Sequence, residues 1–198
     1  MRIEKVYKEI FIFVAGTTPQ IITETICALS QKTLPIYPDE IFIITTLTGK
    51  RFIEKQLLDS GILSEMMLEL GLPQIPITEG SFVVPKDANN FEIDDIRSEE
   101  ENELMGNLIT SLVRDKSNDL SSRLHCSIAG GRKTMSFYLG AALQLFGRPQ
   151  DKLYHVLVTP EFELNPSFFY KPKKNRIIQG RGIDGKPKQL NTKNANIE

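Results

Sequence analysis

Two turns in the sequence combine glycine with hydroxyl or cationic residues in patterns that suit phosphate binding. The first turn, residues 16–20, reads Gly16-Thr17-Thr18-Pro19-Gln20 and offers a glycine, two hydroxyls and the start of a helix. Helix N-termini favour phosphate groups because their unpaired N–H groups and the helix dipole attract negative charge. The same pattern fits an ordinary strand-to-helix turn in which a threonine caps the helix, and the local sequence does not decide between the two.

The second turn, residues 130–134, is the most informative local feature of the chain. It reads Gly130-Gly131-Arg132-Lys133-Thr134. Glycines let a backbone approach an anion closely, an arginine can bind phosphate through two hydrogen bonds, and a lysine adds a point charge. Two cations at the start of a helix oppose its dipole, so we expect them to cost stability unless an anion binds. A solvated basic turn is the alternative, and the spacing matches neither a Walker loop nor a dinucleotide fingerprint.

The remaining polar residues indicate neither a metal site nor a serine hydrolase. His125 and His155 lie within strand patterns, where an isolated histidine is usually structural. The acidic residues between 92 and 101 fit a solvated loop that leads into a helix. Arg97, which lies among them, is the better candidate for reaching a ligand phosphate. Zinc-ligand spacing and a Gly-x-Ser-x-Gly motif are both missing from the sequence, so we expect neither a metal nor a cofactor.

Apolar runs that alternate with helical patterns predict the elements that position these turns. Residues 10–15 and 124–129 are predicted strands that end directly before the first and second turns, and further strands are expected at 40–46, 82–84 and 153–158. This alternation predicts an α/β, Rossmann-like fold with a mostly parallel sheet and helices on both faces. Ligands of such sheets bind outside the carboxyl ends of the strands, where both turns lie.

Composition limits the domain organisation and the partners. A chain of 198 residues with 40% hydrophobic content predicts one domain over residues 1–170, followed by a loose, polar extension over residues 171–198. With 24 Lys and Arg against 25 Asp and Glu, long duplex nucleic acid is not expected as a partner, and a small ligand in a local basic site is expected instead. The sequence shows neither a signal peptide nor a membrane span, which predicts a soluble, cytoplasmic protein without a membrane partner. Cys27 and Cys126 are predicted buried thiols, with a disulfide between them as the minor alternative.

Four segments together resemble the CRISPR-associated proteins built on the CARF domain, and in particular the metal-independent ring nucleases of type III systems. The segments are Gly16–Gln20 with Thr23–Thr25, Asp94–Arg97, Ser127–Met135 and Phe146–Asp151. The resemblance extends over nearly the whole chain, and the Gly-Gly-Arg-Lys block is its most specific part. Family members continue beyond the equivalent of residues 194–198, which leaves open that the extension is truncated.

This resemblance implies a Rossmann-like homodimer that binds cyclic tetra-adenylate across its interface. It further implies cleavage of that ring to linear di-adenylate with a 2′,3′-cyclic phosphate, which switches off type III CRISPR signalling. The family's catalytic lysine matches Lys133, and its catalytic serine matches Thr18, a departure that keeps the hydroxyl but stiffens the rotamer. The residues expected to bind the ligand are Gly16, Thr17, Gln20, Arg97, Gly130, Gly131, Arg132 and Thr134.

Two other functions remain compatible with the same turns. The first is a sensor that binds the cyclic oligoadenylate without cutting it and passes the signal to a partner. The second is a conventional nucleotide-binding enzyme that uses Lys133 on a mononucleotide phosphate. Cleavage without a metal is chemically reasonable, because the ligand carries its own nucleophile, the ribose 2′-OH, and needs mainly to be positioned.

Overall fold

A computed structural model describes residues 7–74, 77–163, 165–182 and 185–198. The chain forms two compact units that alternate along the sequence. The first unit comprises Met1–Thr17, Pro38–Phe52 and Ile75–His155, and the second comprises Thr18–Tyr37, Ile53–Gln74 and Val156–Glu198. The first turn is therefore divided, because Gly16 and Thr17 belong to the first unit and Thr18 to the second. The predicted domain over residues 1–170 stays a prediction.

A five-stranded parallel sheet forms the centre of the first unit. Its strands are β1 (Lys8–Val14), β2 (Glu40–Ile44), β3 (Phe82–Val83), β4 (Ser122–Ser127) and β5 (Lys152–Tyr154). They lie in the order β3-β2-β1-β4-β5, and each neighbouring pair is parallel. This arrangement confirms the predicted α/β, Rossmann-like fold. β5 ends at Tyr154, well before the predicted end at residue 158.

Helices fill the connections between the strands. They are α1 (Gln20–Ser30), α2 (Leu47–Ile53), α3 (Ile62–Leu70), α4 (Glu99–Ser117) and α5 (Lys133–Phe146). A π-helical segment, Glu54–Leu58, continues α2, and short 3₁₀ turns span Glu79–Ser81 and Thr192–Asn194. In the described part of the chain, none of the helices has both the length and the apolar character needed to cross a membrane.

The main hydrophobic core of the first unit lies between the sheet and the pair α4 and α5. Alternate residues of β1 point into it and meet residues that recur every three or four positions on the two helices. The contributing residues are Ile10, Ile12, Val14, Met105, Ile109, Val113, Met135, Leu139 and Ala142. Phe11 and Phe13, which alternate with them in β1, are also fully buried, as expected for a strand covered on both faces. Cys27 and Cys126 are buried and free, in agreement with the prediction.

A buried polar network lies toward the amino end of β1, away from the turns that follow the strand ends. The carboxylate of Glu9 accepts two hydrogen bonds from Arg123, at 2.9 and 2.6 Å, and lies 2.6 Å from Nε2 of His125. Nδ1 of His125 lies 3.1 Å from the hydroxyl of Tyr154. Burial lowers the pKa of His125, although the hydrogen bond to Glu9 opposes this. The network ties β1, β4 and β5 together and supports a structural role for His125.

The second unit contains α1, α3 and an antiparallel hairpin near the end of the chain. The hairpin strands are β6 (Ile177–Arg181) and β7 (Pro187–Asn191). Leu190 and Ala195 pack with Phe162 and Phe168 in a small core of their own. The carboxylate of Glu69 on α3 accepts hydrogen bonds from Tyr170, Arg176 and two backbone amides of residues 173–174. The expectation that residues 171–198 form a loose extension is therefore wrong.

Candidate functional site

The first and second turns lie close together at the carboxyl ends of the neighbouring strands β1 and β4. A Cβ atom built on Gly16 would lie 3.7 Å from Cα of Gly131, so a side chain at Gly16 would be in van der Waals contact with the second turn. The strands are in register up to this edge, with Phe13 opposite Ser127. The sequence predicts both turns at one edge of the sheet, and the structure shows that their glycines approach each other closely there.

Local packing fixes the shape of the second turn. Gly131 has a φ of +74°, in the left-handed region that favours glycine. A Cβ atom at this position would also lie 3.1 Å from Sδ of Met135, so the site has little room for a side chain. The hydroxyl of Ser136 lies 3.1 Å from the carbonyl oxygens of both Ile128 and Gly130 and holds the turn against the start of α5.

The N-terminus of α5 differs from that of α4 in its charge. Ser98 caps α4, and three glutamates, 99–101, occupy the first turn of that helix. By contrast, α5 begins at Lys133 directly after Arg132 and has no acidic residue in its first turn. Lys133 and Thr134 are exposed, and the Lys133 ammonium forms no ion pair with any residue described. An anion at this helix start would meet unpaired amides and a free cation.

Arg132 already has an anionic partner, which the sequence analysis did not foresee. Its Nε and Nη2 donate to the two carboxylate oxygens of Asp95 at 3.2 and 2.7 Å. The hydrogen bond from Arg132 lowers the pKa of Asp95, and Arg97, 3.6 Å away, contributes to the same effect. The expectation that only an external anion offsets the cost of the cations is therefore wrong for Arg132. Its Nη1 edge donates to no side chain or backbone group among the described residues and stays open to a ligand.

Arg97, predicted to reach a ligand phosphate, lies on the surface beside this pair. Its side chain is 74% exposed. Its backbone amide donates to Glu101 at the start of α4. Arg97 therefore belongs to the same loop as Asp95, and contact with a ligand stays a prediction.

A third turn, residues 45–49, was missed as part of the site. A Cβ atom on Gly49 would lie 2.1 Å from Oγ1 of Thr45 and 3.3 Å from the carbonyl oxygen of Gly16, so glycine is required where α2 passes the first turn. The Thr45 side chain is fully buried, and its hydroxyl has no hydrogen-bond partner in the described structure. Helix α2 begins at Leu47, and the Thr48 hydroxyl donates to Asp94. The signal for this turn was a Thr-Gly pair between a strand and a helix at the same edge of the sheet.

The second half of the first turn begins α1 as predicted. Pro19 is the N-cap residue, and α1 starts at Gln20. Thr17 is exposed and Thr18 is half-buried. Gln20 is 5% exposed, and its side-chain oxygen is buried without a hydrogen-bond partner among the described residues, so its contact with a ligand stays a prediction. The pairing of Thr18 with Lys133 stays a prediction, because the two residues belong to different units.

The described ranges of the chain hold no group of three or more His, Cys, Asp or Glu side chains placed to bind a metal ion. The chemistry available at this edge of the sheet is that of glycine turns, hydroxyls, two cations and a helix N-terminus.

Comparisons with known proteins identify the class to which this α/β protein belongs. The family model described as CRISPR-associated protein NE0113 matches residues 18–194, and the chain belongs to this family. It therefore has a role in CRISPR systems. No curated protein matches the chain.

Among solved structures, the chain is similar to a crystal structure of UDP-N-acetylglucosamine 2-epimerase. The two sequences are 10% identical, with a TM-score of 0.36. The match covers 75% of this chain and 33% of that chain, so this chain spans about a third of the length of the structure it matches. The similarity is too distant to support a statement on function.

Proposed function

We propose that the protein is a metal-independent ring nuclease that binds cyclic tetra-adenylate and cleaves it to linear di-adenylate with a 2′,3′-cyclic phosphate. Such cleavage would switch off type III CRISPR signalling. The observation that carries the proposal is the close approach of Gly16 and Gly131, which brings two phosphate-type turns together at the carboxyl edge of the sheet. Membership in a CRISPR-associated family supports the biological setting.

The residues of the two turns suit the chemistry of such a cut. The ribose 2′-OH attacks the adjacent phosphorus, a new O2′–P bond forms, and the P–O5′ bond breaks. The 2′-OH loses its proton, and the departing 5′ oxygen gains one. Holding the 2′-OH in line with the leaving oxygen supplies much of the acceleration. Lys133, the open Nη1 edge of Arg132 and the first amides of α5 would stabilise the charge that grows on the phosphoryl oxygens.

Thr18 is the residue that favours the alternative function. The resemblance assigns it the place of a catalytic serine, and its β-branched side chain has fewer rotamers. A hydroxyl held in the wrong rotamer would leave a protein that binds the ring without cutting it. This non-cleaving sensor is the second candidate.

We expect the purified chain to convert labelled cyclic tetra-adenylate to di-adenylate in the presence of EDTA. Thin-layer or mass analysis would identify the product and its 2′,3′-cyclic phosphate. Intact ring recovered in complex with the protein would favour the sensor. Activity that disappears with EDTA and returns with magnesium or manganese would show that the proposed mechanism is wrong.

We also expect Asp95→Asn to tighten binding of the ring several-fold at low salt. The Asp95 carboxylate lies 2.7 Å from Arg132 and would repel a phosphate that approaches the same guanidinium. The gain should shrink as salt is added, because the pair is partly exposed and its charges are screened. Calorimetry at two salt concentrations measures this effect.

Asp94→Asn provides the matched control. It removes the same charge one residue away, but Asp94 binds the hydroxyl of Thr48 at 3.0 Å and not Arg132. If Asp95→Asn binds the ring more weakly than the Asp94 variant does, then Asp95 orients Arg132 for the ligand and does not compete with it.

A further inference from the structure

Positive charge is concentrated near the end of the chain. Residues 171–193 hold eight of the 24 Lys and Arg residues but only one of the 25 Asp and Glu residues, Asp184. The eight are Lys171, Lys173, Lys174, Arg176, Arg181, Lys186, Lys188 and Lys193. The nearly neutral balance of the whole chain conceals this strongly basic segment. A local concentration of Lys and Arg is the electrostatic feature by which proteins attract nucleic acids.

The hairpin of β6 and β7 lies within the basic segment, and its two faces differ. On the inner face, Leu190 packs with Phe162 and Phe168, and a Cβ atom on Gly180 would collide with the Leu190 side chain. The residues that alternate with these form an exposed outer hairpin face. They are Ile177, Gln179 and Arg181 on β6 and Pro187, Gln189 and Asn191 on β7. The core of the second unit therefore uses only the inner face.

Two amide side chains occupy the middle of the outer hairpin face. Gln179 lies directly opposite Gln189 in the antiparallel register. A glutamine amide can pair with the edge of adenine through two hydrogen bonds, and an arginine can do the same with guanine. None of the six residues of this face is aromatic, so the face offers no ring on which the bases of a single strand could stack. The face suits contact with base edges in a groove.

Exposed cations lie at both ends of the hairpin. Lys173 and Lys174 precede β6 and Lys193 follows β7, whereas Arg181 ends β6 at the turn. None of these four side chains has an ion-pair partner among the residues that the structure describes. Cations on either side of two central amides match a duplex, in which phosphates border a groove that displays the bases.

We propose that the outer hairpin face binds double-stranded DNA, with β6 and β7 lying in the major groove. Neighbouring strands are about 4.8 Å apart, and the major groove of B-DNA is about 12 Å wide, so a two-stranded ribbon fits into it. Duplex RNA is a poorer match because its major groove is deep and narrow. The inference does not depend on the proposed function, since the hairpin contains no residue of the first or second turn.

Fluorescence anisotropy of the full chain with a short labelled DNA duplex tests this inference. We expect a dissociation constant on the order of 10⁻⁵ M, which increases steeply with salt because the phosphate contacts dominate affinity. Replacing Lys173 and Lys174 together with alanine should weaken binding. It should also reduce the salt slope by about 1 for each phosphate contact that is lost.

Gln189→Glu tests the outer hairpin face itself. The substitution keeps the shape of the side chain but places a negative charge where the DNA would lie, so we expect binding to weaken by about tenfold or more. Gln144→Glu is the matched control, because Gln144 is also exposed but lies on α5 in the first unit. This variant should bind the duplex like the wild type, and both variants should unfold at the wild-type temperature.

Three other results would overturn the proposal. The first is equal binding by the wild type and Gln189→Glu, or an equal loss in Gln144→Glu, which would leave net charge as the only cause. The second is tighter binding of the single strand than of the duplex, which would exclude recognition through a groove. The third is displacement of the duplex by polyglutamate as effectively as by unlabelled DNA, which would indicate an acidic protein as the partner.

Discussion

Replacing Lys133 with alanine is expected to slow cleavage of cyclic tetra-adenylate by roughly a hundred- to a thousand-fold, with a much smaller change in affinity. Lys133 is the first residue of α5, is exposed, and forms no ion pair with a described residue, so its ammonium is free to reach a phosphoryl group. In the proposed reaction, negative charge on the phosphoryl oxygens grows as the 2′ oxygen attacks. A cation at that position therefore stabilises the transition state more than the bound ring.

Single-turnover kinetics with protein in excess, together with calorimetry, separate the rate from the affinity. Lys86→Ala is a suitable control, because Lys86 is also an exposed lysine of the first unit but lies in the loop after β3. Its variant should cleave like the wild type. An equal loss of rate and affinity in Lys133→Ala would make Lys133 an ordinary binding residue.

The parts of the fold that the sequence predicted are those determined by local pattern. The apolar run at residues 10–15 and the turn at Gly130-Gly131 each depend on residues close together in the chain. The parallel sheet could also be predicted, because alternating strands and helices are compatible with few other arrangements.

The parts that could not be predicted depend on residues that are distant in sequence. Asp95 pairs with Arg132, which lies 37 positions later in the sequence, and neither segment carries a pattern that indicates this pairing. The sequence gives no sign that a side chain at Gly49 would collide with Thr45 and crowd the carbonyl oxygen of Gly16. The terminal hairpin was missed for the same reason, since β7 is mostly polar and its buried residue, Leu190, packs on phenylalanines that precede the predicted extension.

Glu24 is another residue whose environment the sequence did not reveal. It belongs to the Thr-Glu-Thr segment of α1 and was noted only for its resemblance to a family motif. A glutamate in a helix is normally exposed, but Glu24 is 5% exposed. Burial raises the pKa of its carboxyl to about 7, and the charge of Glu163 adds to this effect.

The free energy of unfolding should consequently decrease as pH rises, and Glu24→Gln should abolish this decrease. Below about pH 4.5 the carboxyl is neutral in both the folded and the unfolded chain. As pH rises toward 7, the unfolded chain ionises first, which favours unfolding until the folded state also loses its proton. A pKa of about 7 against the ordinary 4.5 corresponds to about 3 kcal/mol lost by pH 8, at about 1.4 kcal/mol for each pH unit.

Denaturant unfolding at pH 4, 6 and 8 measures this directly. Glutamine has nearly the same shape as glutamate and cannot ionise. The free energy of unfolding of the variant, relative to that of the wild type, should therefore rise by about 3 kcal/mol between pH 4 and pH 8. Glu163→Gln should recover only a smaller part of this stability, because burial raises the pKa of Glu24 more than the charge of Glu163 does. Glu103→Gln, on the exposed side of α4, should leave the pH dependence unchanged. If the curves for Glu24→Gln and the wild type stay parallel over this range, then the Glu24 carboxyl reaches water in the native state and its burial does not limit stability.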